Sequence, residues 1–164
     1  IVYSIDDKFT TKLMTMLKLL PIFPLYYGGK TNFHPIHVSD MCEIIEKVIV
    51  NDYKSQTIEC IGPQMMSFKQ IIQKILKSLE IKRMLVPFPL FIAKIIATFF
   101  EITMKNPLLT KDQLILLNYN NSPSTKYKTN LDLKLNNDLK NFDKEILKYS
   151  YSWKTGGEFS KEQS

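Results

Sequence analysis

Short runs of β-type residues alternate with amphipathic helical segments over the first half of the chain, and this alternation constrains the fold most strongly. The β-type runs are at residues 1–3, 31–38 and 57–61. Apolar residues at helical spacing follow them, at residues 9–20, 39–49 and 68–79. Strands that alternate with helices are typical of a parallel sheet. We therefore expect the late βα units of an α/β fold.

Capping pairs predict where the helices begin. Ser67 with Gln70, and Thr110 with Gln113, have the spacing of a capping box. Helices are accordingly expected over residues 68–79 and 110–117, and a further helix near 142–149.

The segment 31–38 is predicted to be one strand that leads into a helix. Pro35 favours an edge position or a bulge in that strand. Asp40, with Glu43 three residues later, predicts that Asp40 or Ser39 caps the following helix. For Asp40, a contact to substrate is the alternative.

Residues 90–102 form the most apolar stretch. The stretch is shorter than the roughly 20 residues that span a membrane, and Lys94, Thr98 and Glu101 draw a polar stripe along it. A buried or partner-facing helix is the favoured interpretation. A helix lying on a membrane surface is the alternative.

Charge and cysteine content exclude some classes of function. The net charge of +6 comes almost entirely from dispersed lysines, with Arg83 as the single arginine, which argues against nucleic-acid binding. Cys42 and Cys60 have no metal-ligand spacing. We expect both to be reduced, buried thiols.

Complete catalytic and phosphate-binding motifs are missing. The five glycines cannot form G-x-G-x-x-G or a P-loop. Tyr26 and Lys30 have the Y-x-x-x-K spacing of a dehydrogenase pair, but the glycines between them argue against the helix such a pair needs. His34 and His37 are expected on opposite faces of a strand, which argues against a shared metal. Structural hydrogen bonding is the favoured role for both histidines, and contact of one of them with a ligand at the carboxyl edge of the sheet is the alternative.

Several segments carry a resemblance to a known family. They are residues 28–41 (GGKTNFHPIHVSDM), 57–63 (TIECIGP), 66–72 (MSFKQII), 85–89 (LVPFP), 108–114 (LLTKDQL) and 151–159 (YSWKTGGEF). In this order and spacing they resemble the carboxyl-terminal half of extended short-chain dehydrogenases/reductases. More narrowly, they are similar to the atypical branch that contains the complex I alpha-subcomplex subunit 9 accessory protein.

The resemblance implies a fold and a division of the chain. The fold would be the carboxyl-terminal portion of an NAD(P)-binding Rossmann-type protein with a mostly helical substrate-side subdomain. Its parts would be late βα units at 1–62, the helical subdomain at 63–117, an extended and helical segment at 118–159, and a disordered tail at 160–164. The chain opens at Ile1 without a methionine, so we expect an amino-terminal half with the dinucleotide loop to precede it.

The resemblance also implies candidate site residues. Tyr3 would lie beside the cofactor, although Ser4-Ile5 stands where relatives carry Gly-Pro. His34, His37 and Asp40 would line the substrate cleft. No catalytic or metal-binding residue is assigned within the chain.

Three functional hypotheses follow. The parent protein binds NAD(P)H for stability or assembly, as a complex I accessory subunit does, or it is an NAD(P)-dependent epimerase or reductase acting on a small molecule or sugar nucleotide. The third hypothesis is a membrane- or partner-docking module. This chain alone is expected to be inactive and to bind NAD(P)H weakly. The expected location is the bacterial cytoplasm or the mitochondrial matrix side, at a membrane periphery if complex I or a membrane is the partner.

Overall fold

The chain forms a mixed α/β structure with short strands. The computed structural model describes residues 1–105, 107, 109–136, 138–154 and 156–158. The strands are β1 (Val2–Tyr3), β2 (Ile22–Leu25), β3 (Asn32–Phe33), β4 (Ile36–His37), β5 (Ile58–Glu59), β6 (Met66–Ser67), β7 (Met84–Pro87) and β8 (Lys128–Thr129). The helices are α1 (Thr10–Leu19), α2 (Val38–Val50), α3 (Phe68–Leu79), α4 (Leu90–Thr103), α5 (Lys111–Leu116) and α6 (Phe142–Ser150).

The strands pair two by two rather than in one continuous sheet. In the described residues, β1 pairs with β4, β2 with β7, and β5 with β8, all in parallel. β3 and β6 pair antiparallel. The expected parallel pairing is therefore present, but it is divided among separate two-stranded ladders.

The main hydrophobic core is organised around α3. Ile71, Ile72 and Ile75 of this helix have no exposed surface. Burial of such a side chain stabilises the fold by about 1.5–3 kcal/mol. α3 packs against both α1 and α6, so residues from both ends of the described chain share one core.

The predicted capping boxes are confirmed. Ser67 Oγ accepts from the Gln70 backbone N–H, and Gln70 Oε1 accepts from the Ser67 backbone N–H at 2.8 Å. Thr110 and Gln113 make the same reciprocal pair at the start of α5. The helix expected near 142–149 is α6.

The predicted single strand over 31–38 is wrong. It is divided into β3 and β4, which pair with different partners. Pro35 lies between the two strands, and it cannot donate a backbone hydrogen bond. The proline thus separates two short ladders instead of introducing a bulge into one.

The predicted cap of α2 is also wrong. The helix begins at Val38, and the capping residue is His37, whose ring Nδ1 accepts from the Ser39 backbone N–H at 3.3 Å. Asp40 lies within the first turn, where its carboxylate accepts a bond from a distant segment.

The apolar face expected on α2 is only partly buried. Ile44 is 1% exposed, whereas Ile45 is 50% and Ile49 is 72% exposed. Cys42 is exposed and Cys60 is half-buried, both as free thiols, so the expectation that both are buried is wrong. Cys42 is two positions from both Asp40 and Ile44, the buried residues of α2, and therefore lies on the opposite side of the helix.

The division into parts at 62/63 and 117/118 stays a prediction. The tail at 160–164 lies outside the described residues. Within the described residues, none of the helices has the length and apolar character needed to cross a membrane.

Candidate functional site

A polar cluster forms where β1 and β4 end. The parallel register places Tyr3 opposite His37 at the carboxyl ends of these strands. α2 starts directly afterwards, so Asp40 is in the first turn above the same edge. Three of the four residues predicted for the site are therefore brought together. In α/β folds this edge is where ligands bind.

Tyr3 is enclosed within this cluster. Its side chain has no exposed surface, and its ring is edge-on to both His37, at 5.2 Å, and Phe142, at 4.9 Å. The phenol hydroxyl donates to the Lys140 carbonyl at 3.4 Å. Burial, reinforced by the charge of Glu145, raises the pKa of Tyr3, so the phenol stays protonated. Tyr3 supports His37 here, and its contact with a cofactor stays a prediction.

His37 is held in one tautomer. Its Nδ1 accepts from the Ser39 backbone N–H and lies 2.8 Å from the Ser39 hydroxyl, which leaves the ring proton on Nε2. Nε2 lies 4.0 Å from Glu145 Oε2, too far for a hydrogen bond. Burial and the nearby Lys140 ammonium lower the pKa of His37, so the ring is neutral at pH 7.

Asp40 ties the carboxyl-terminal segment to this edge. Its side chain is buried, and Oδ2 accepts from the Lys140 backbone N–H at 2.8 Å. The Lys140 ammonium donates in turn to the Ser39 hydroxyl. Contacts from about 100 residues away along the chain therefore fix the start of α2.

His34 takes no part in this cluster. Among the described residues, no hydrogen bond or ion pair connects it with Tyr3, His37 or Asp40. Its backbone carbonyl accepts from the Gly62 N–H at 3.4 Å, and its Nδ1 is buried without a hydrogen-bond partner in the described chain. Burial lowers the pKa of His34.

The cluster offers donors rather than an acid–base pair. The Nδ1 lone pair of His37 is already engaged, so the ring presents an Nε2–H donor. Lys140 adds a cation beside it. The Glu145 carboxylate lies 4.0 Å from the same Nε2, so the arrangement suits recognition of hydroxyl groups better than of an anion.

Two of the described glycines lie directly against other segments of the chain. A Cβ at Gly29 would lie 2.9 Å from Lys69 Cβ, and one at Gly62 would lie 1.7 Å from the Pro35 carbonyl oxygen. Both glycines are used for close packing within the chain. Tyr26 and Lys30 also lack the helical geometry that a dehydrogenase pair needs, as the sequence predicted, since Tyr27 and Gly28 between them have positive φ.

A second candidate site is a cavity of about 300 Å³ beside α1. Its walls are mainly apolar and come from α1, β2, β3, α3 and the α5 region. They include Phe9, Met16, Phe23, Phe33, Phe68 and Leu109. None of Tyr3, His34, His37 and Asp40 lines this cavity.

Sequence reasoning missed part of both candidate sites. Lys140 and Glu145 are distant in the chain from His37 and belong to no recognisable motif. Lys8 and Lys12 lie at the cavity. Lys8 precedes α1 and Lys12 lies in its first turn, so no helical pattern in the sequence marked them as a pair.

No protein-family model matches the chain, and no curated protein matches it. Among solved structures, a dTDP-4-dehydrorhamnose reductase from Clostridium acetobutylicum is similar to it with 14% identity and a TM-score of 0.49. The alignment covers 90% of this chain and 44% of that reductase, so the chain spans less than half its length. At these values the likeness is distant.

Proposed function

We propose that this chain is the substrate-side part of an NAD(P)H-binding protein of the extended short-chain dehydrogenase/reductase type. The observation that carries the proposal is the parallel β1–β4 register, which gathers Tyr3, His37 and Asp40 at the carboxyl edge. This is the edge where the family resemblance puts the cleft. The nucleotide would be held by a half that supplies the glycine-rich loop.

An uncovered apolar surface supports this proposal. Val2, Val38, Ile45 and Ile49 are 40–72% exposed on β1 and α2. β1 also has one strand edge without a partner among the described residues. A further part of the sheet would cover such an edge and face.

The proposal covers two variants of the parent protein. In one variant, NAD(P)H is bound for stability or for assembly with respiratory complex I. In the other variant, the protein is an epimerase or reductase that turns over a small molecule or sugar nucleotide. A catalytic tyrosine and lysine in the nucleotide-binding half would favour turnover, and their absence would favour the structural role.

Substitutions on the uncovered face test the proposal. In this chain alone, Ile45→Lys and Ile49→Lys should leave the melting temperature nearly unchanged, because both side chains already contact water. In the longer polypeptide encoded with the region preceding Ile1, the same substitutions should lower the melting temperature by several degrees. Buried charge without a partner is strongly unfavourable.

Leu147→Lys is the matched control, since Leu147 of α6 is 56% exposed and lies outside this face. It should leave the melting temperature unchanged both in this chain alone and in the longer polypeptide. Equal tolerance of all three substitutions in the longer polypeptide would contradict the proposal. So would a preceding region that encodes no nucleotide-binding half.

The exposed side of α4 favours a second candidate function, docking to a membrane surface. Phe91, Ile95, Phe99 and Ile102 are 61–80% exposed along one side of the helix. Lys94 and Lys105 lie close by in the chain and are also exposed. Co-sedimentation with anionic vesicles tests this candidate. Unchanged sedimentation of a Phe91→Ser/Phe99→Ser variant would rule out α4 as the docking element.

A further inference from the structure

We propose that the cavity beside α1 binds an amphiphilic carboxylate, with its apolar body inside and its head group at Lys8 and Lys12. This inference is independent of the proposed function, because the cavity is built from residues of this chain. It differs in place and chemistry from the polar cluster at His37.

The walls of the cavity select an apolar body. The volume of about 300 Å³ is at the lower end of the range for small-ligand pockets. Phe9, Phe23, Phe33 and Phe68 contribute aromatic surface, and Leu13 and Met16 contribute flexible aliphatic surface. Water in such a cavity has few hydrogen-bond partners, so its displacement by an apolar chain is favourable.

Two ammonium groups at the cavity select a negative head group. Lys8 precedes α1, which begins at Thr10, and Lys12 lies in the first turn of that helix. The cavity has no acidic lining residue among the described residues. Lys12 Nζ donates to the Pro107 carbonyl at 3.2 Å, which leaves further N–H groups for a ligand.

The acidic residues nearest in the chain are already committed or exposed. Asp7 Oδ1 accepts from the Phe9 backbone N–H at 2.6 Å, and its other oxygen accepts from the Ser4 backbone N–H at 3.1 Å. Asp6, Asp7 and Glu158 line a neighbouring polar depression, and Lys8 and Lys12 lie between that depression and the cavity. Within the described residues, neither lysine forms an ion pair with these carboxylates.

The remaining polar groups refine the class of ligand. Tyr26 lines the cavity, and burial raises the pKa of its phenol to about 12, so it stays neutral. Gln113, Asn120 and Asn121 add uncharged amides. One carboxylate on an otherwise apolar molecule matches this distribution, as in a medium-chain fatty acid.

Displacement of N-phenylnaphthylamine from this chain tests the proposal. The uncharged dye should bind in the cavity and fluoresce. Decanoate, kept below its micelle concentration, should displace it about tenfold more tightly than decanol, because a charge-assisted head-group contact is worth on the order of one decade in affinity.

The variants locate the head group and the body separately. Lys8→Gln/Lys12→Gln should weaken decanoate about tenfold and leave decanol unchanged. Lys94→Gln/Lys105→Gln, which removes the same charge from the α4 region, should change neither competitor. Met16→Phe should fill the cavity and lower dye binding, with far-ultraviolet circular dichroism checking that the fold is retained.

Two results would overturn the proposal. The first is equal affinity for decanoate in the wild type and in the Lys8/Lys12 variant. The second is unchanged dye binding in a folded Met16→Phe variant, which would place the dye elsewhere, for example on the exposed side of α4.

Discussion

At the scale of single residues, the candidate site depends on hydrogen bonds from Ser39 and on ring packing by Tyr3, which together fix His37. The Ser39 backbone N–H occupies one side of the ring, and Tyr3 and Phe142 enclose the cluster from below. Asp40 holds the segment that brings Lys140 and Glu145 to the same place. Removal of the Asp40 carboxylate should therefore loosen the whole cluster.

We expect Asp40→Ala to lower the free energy of unfolding by about 1–3 kcal/mol, because the Lys140 backbone N–H would lose its buried acceptor. Asp40→Asn is the matched control, since its amide oxygen still accepts a bond at the same position. Urea unfolding followed by Trp153 fluorescence measures both. A cost for Asp40→Asn equal to that for Asp40→Ala would contradict this role.

Stability should fall as the solution becomes acidic through about pH 6.5, where a histidine of the unfolded chain takes up a proton. The pKa values of folded His34 and His37 are both lowered, chiefly by burial. Below that pH the unfolded state binds more protons than the folded state, which favours unfolding. For His37, Lys140 and Lys148 add to the lowering, and Glu145 and Asp40 oppose it.

Urea midpoints at about pH 7.5 and about pH 5.5 measure this effect. The variant His34→Gln/His37→Asn should show a smaller difference between the two midpoints, since both titrating rings are gone. A variant with the same difference as the wild type would show that other groups cause the pH dependence.

At the scale of elements, local sequence predicted helix starts well and strand pairing less well. The pairs Ser67–Gln70 and Thr110–Gln113 satisfy backbone groups within four residues, so their geometry is encoded locally. The pairing of β3 and β4 instead involves β6 and β1 respectively, which are distant from them in sequence. A window of neighbouring residues could not show that 31–38 divides.

The difference between local and long-range contacts also explains which parts of the candidate site were predictable. The family resemblance suggested Tyr3, His34, His37 and Asp40 as site residues, and the parallel β1–β4 register brings all of these except His34 together at one edge. The Asp40–Lys140 bond and the cavity at Lys8 follow from packing of remote segments. Asp40 also had the sequence pattern of a helix cap, but in the structure His37 is the capping residue of α2.

Gly62 marks a close crossing of two segments. Its backbone N–H donates to the His34 carbonyl, and a Cβ would lie 1.7 Å from the Pro35 carbonyl oxygen. We expect Gly62→Ala to cost about 1–3 kcal/mol of unfolding free energy, because backbone must move.

Gly28→Ala is the comparison, since its Cβ would meet nothing closer than 3.9 Å and only its positive φ is unfavourable. Its cost should be smaller, about 1 kcal/mol. Urea unfolding of both variants checks the order. A Gly62→Ala variant as stable as the wild type would contradict the close crossing.

At the scale of the whole molecule, the best-buried and the uncovered apolar surfaces belong to different elements. α3 is enclosed by α1 and α6, whereas α2 and β1 leave apolar side chains in contact with water. The polar cluster at His37 therefore lies beside a surface that we propose another half of the sheet covers. Gly29 and Gly62 pack closely within the chain, and we propose that the other half binds the nucleotide.

The most direct test of this account is titration of NADPH, followed by nicotinamide fluorescence, into this chain and into a longer polypeptide that includes the proposed nucleotide-binding half. We expect weak or undetectable binding by the chain alone and tight binding by the longer polypeptide. Sub-micromolar binding by the chain alone would contradict the claim that the pyrophosphate site is supplied from elsewhere. Failure of the longer polypeptide to bind would contradict the proposed family.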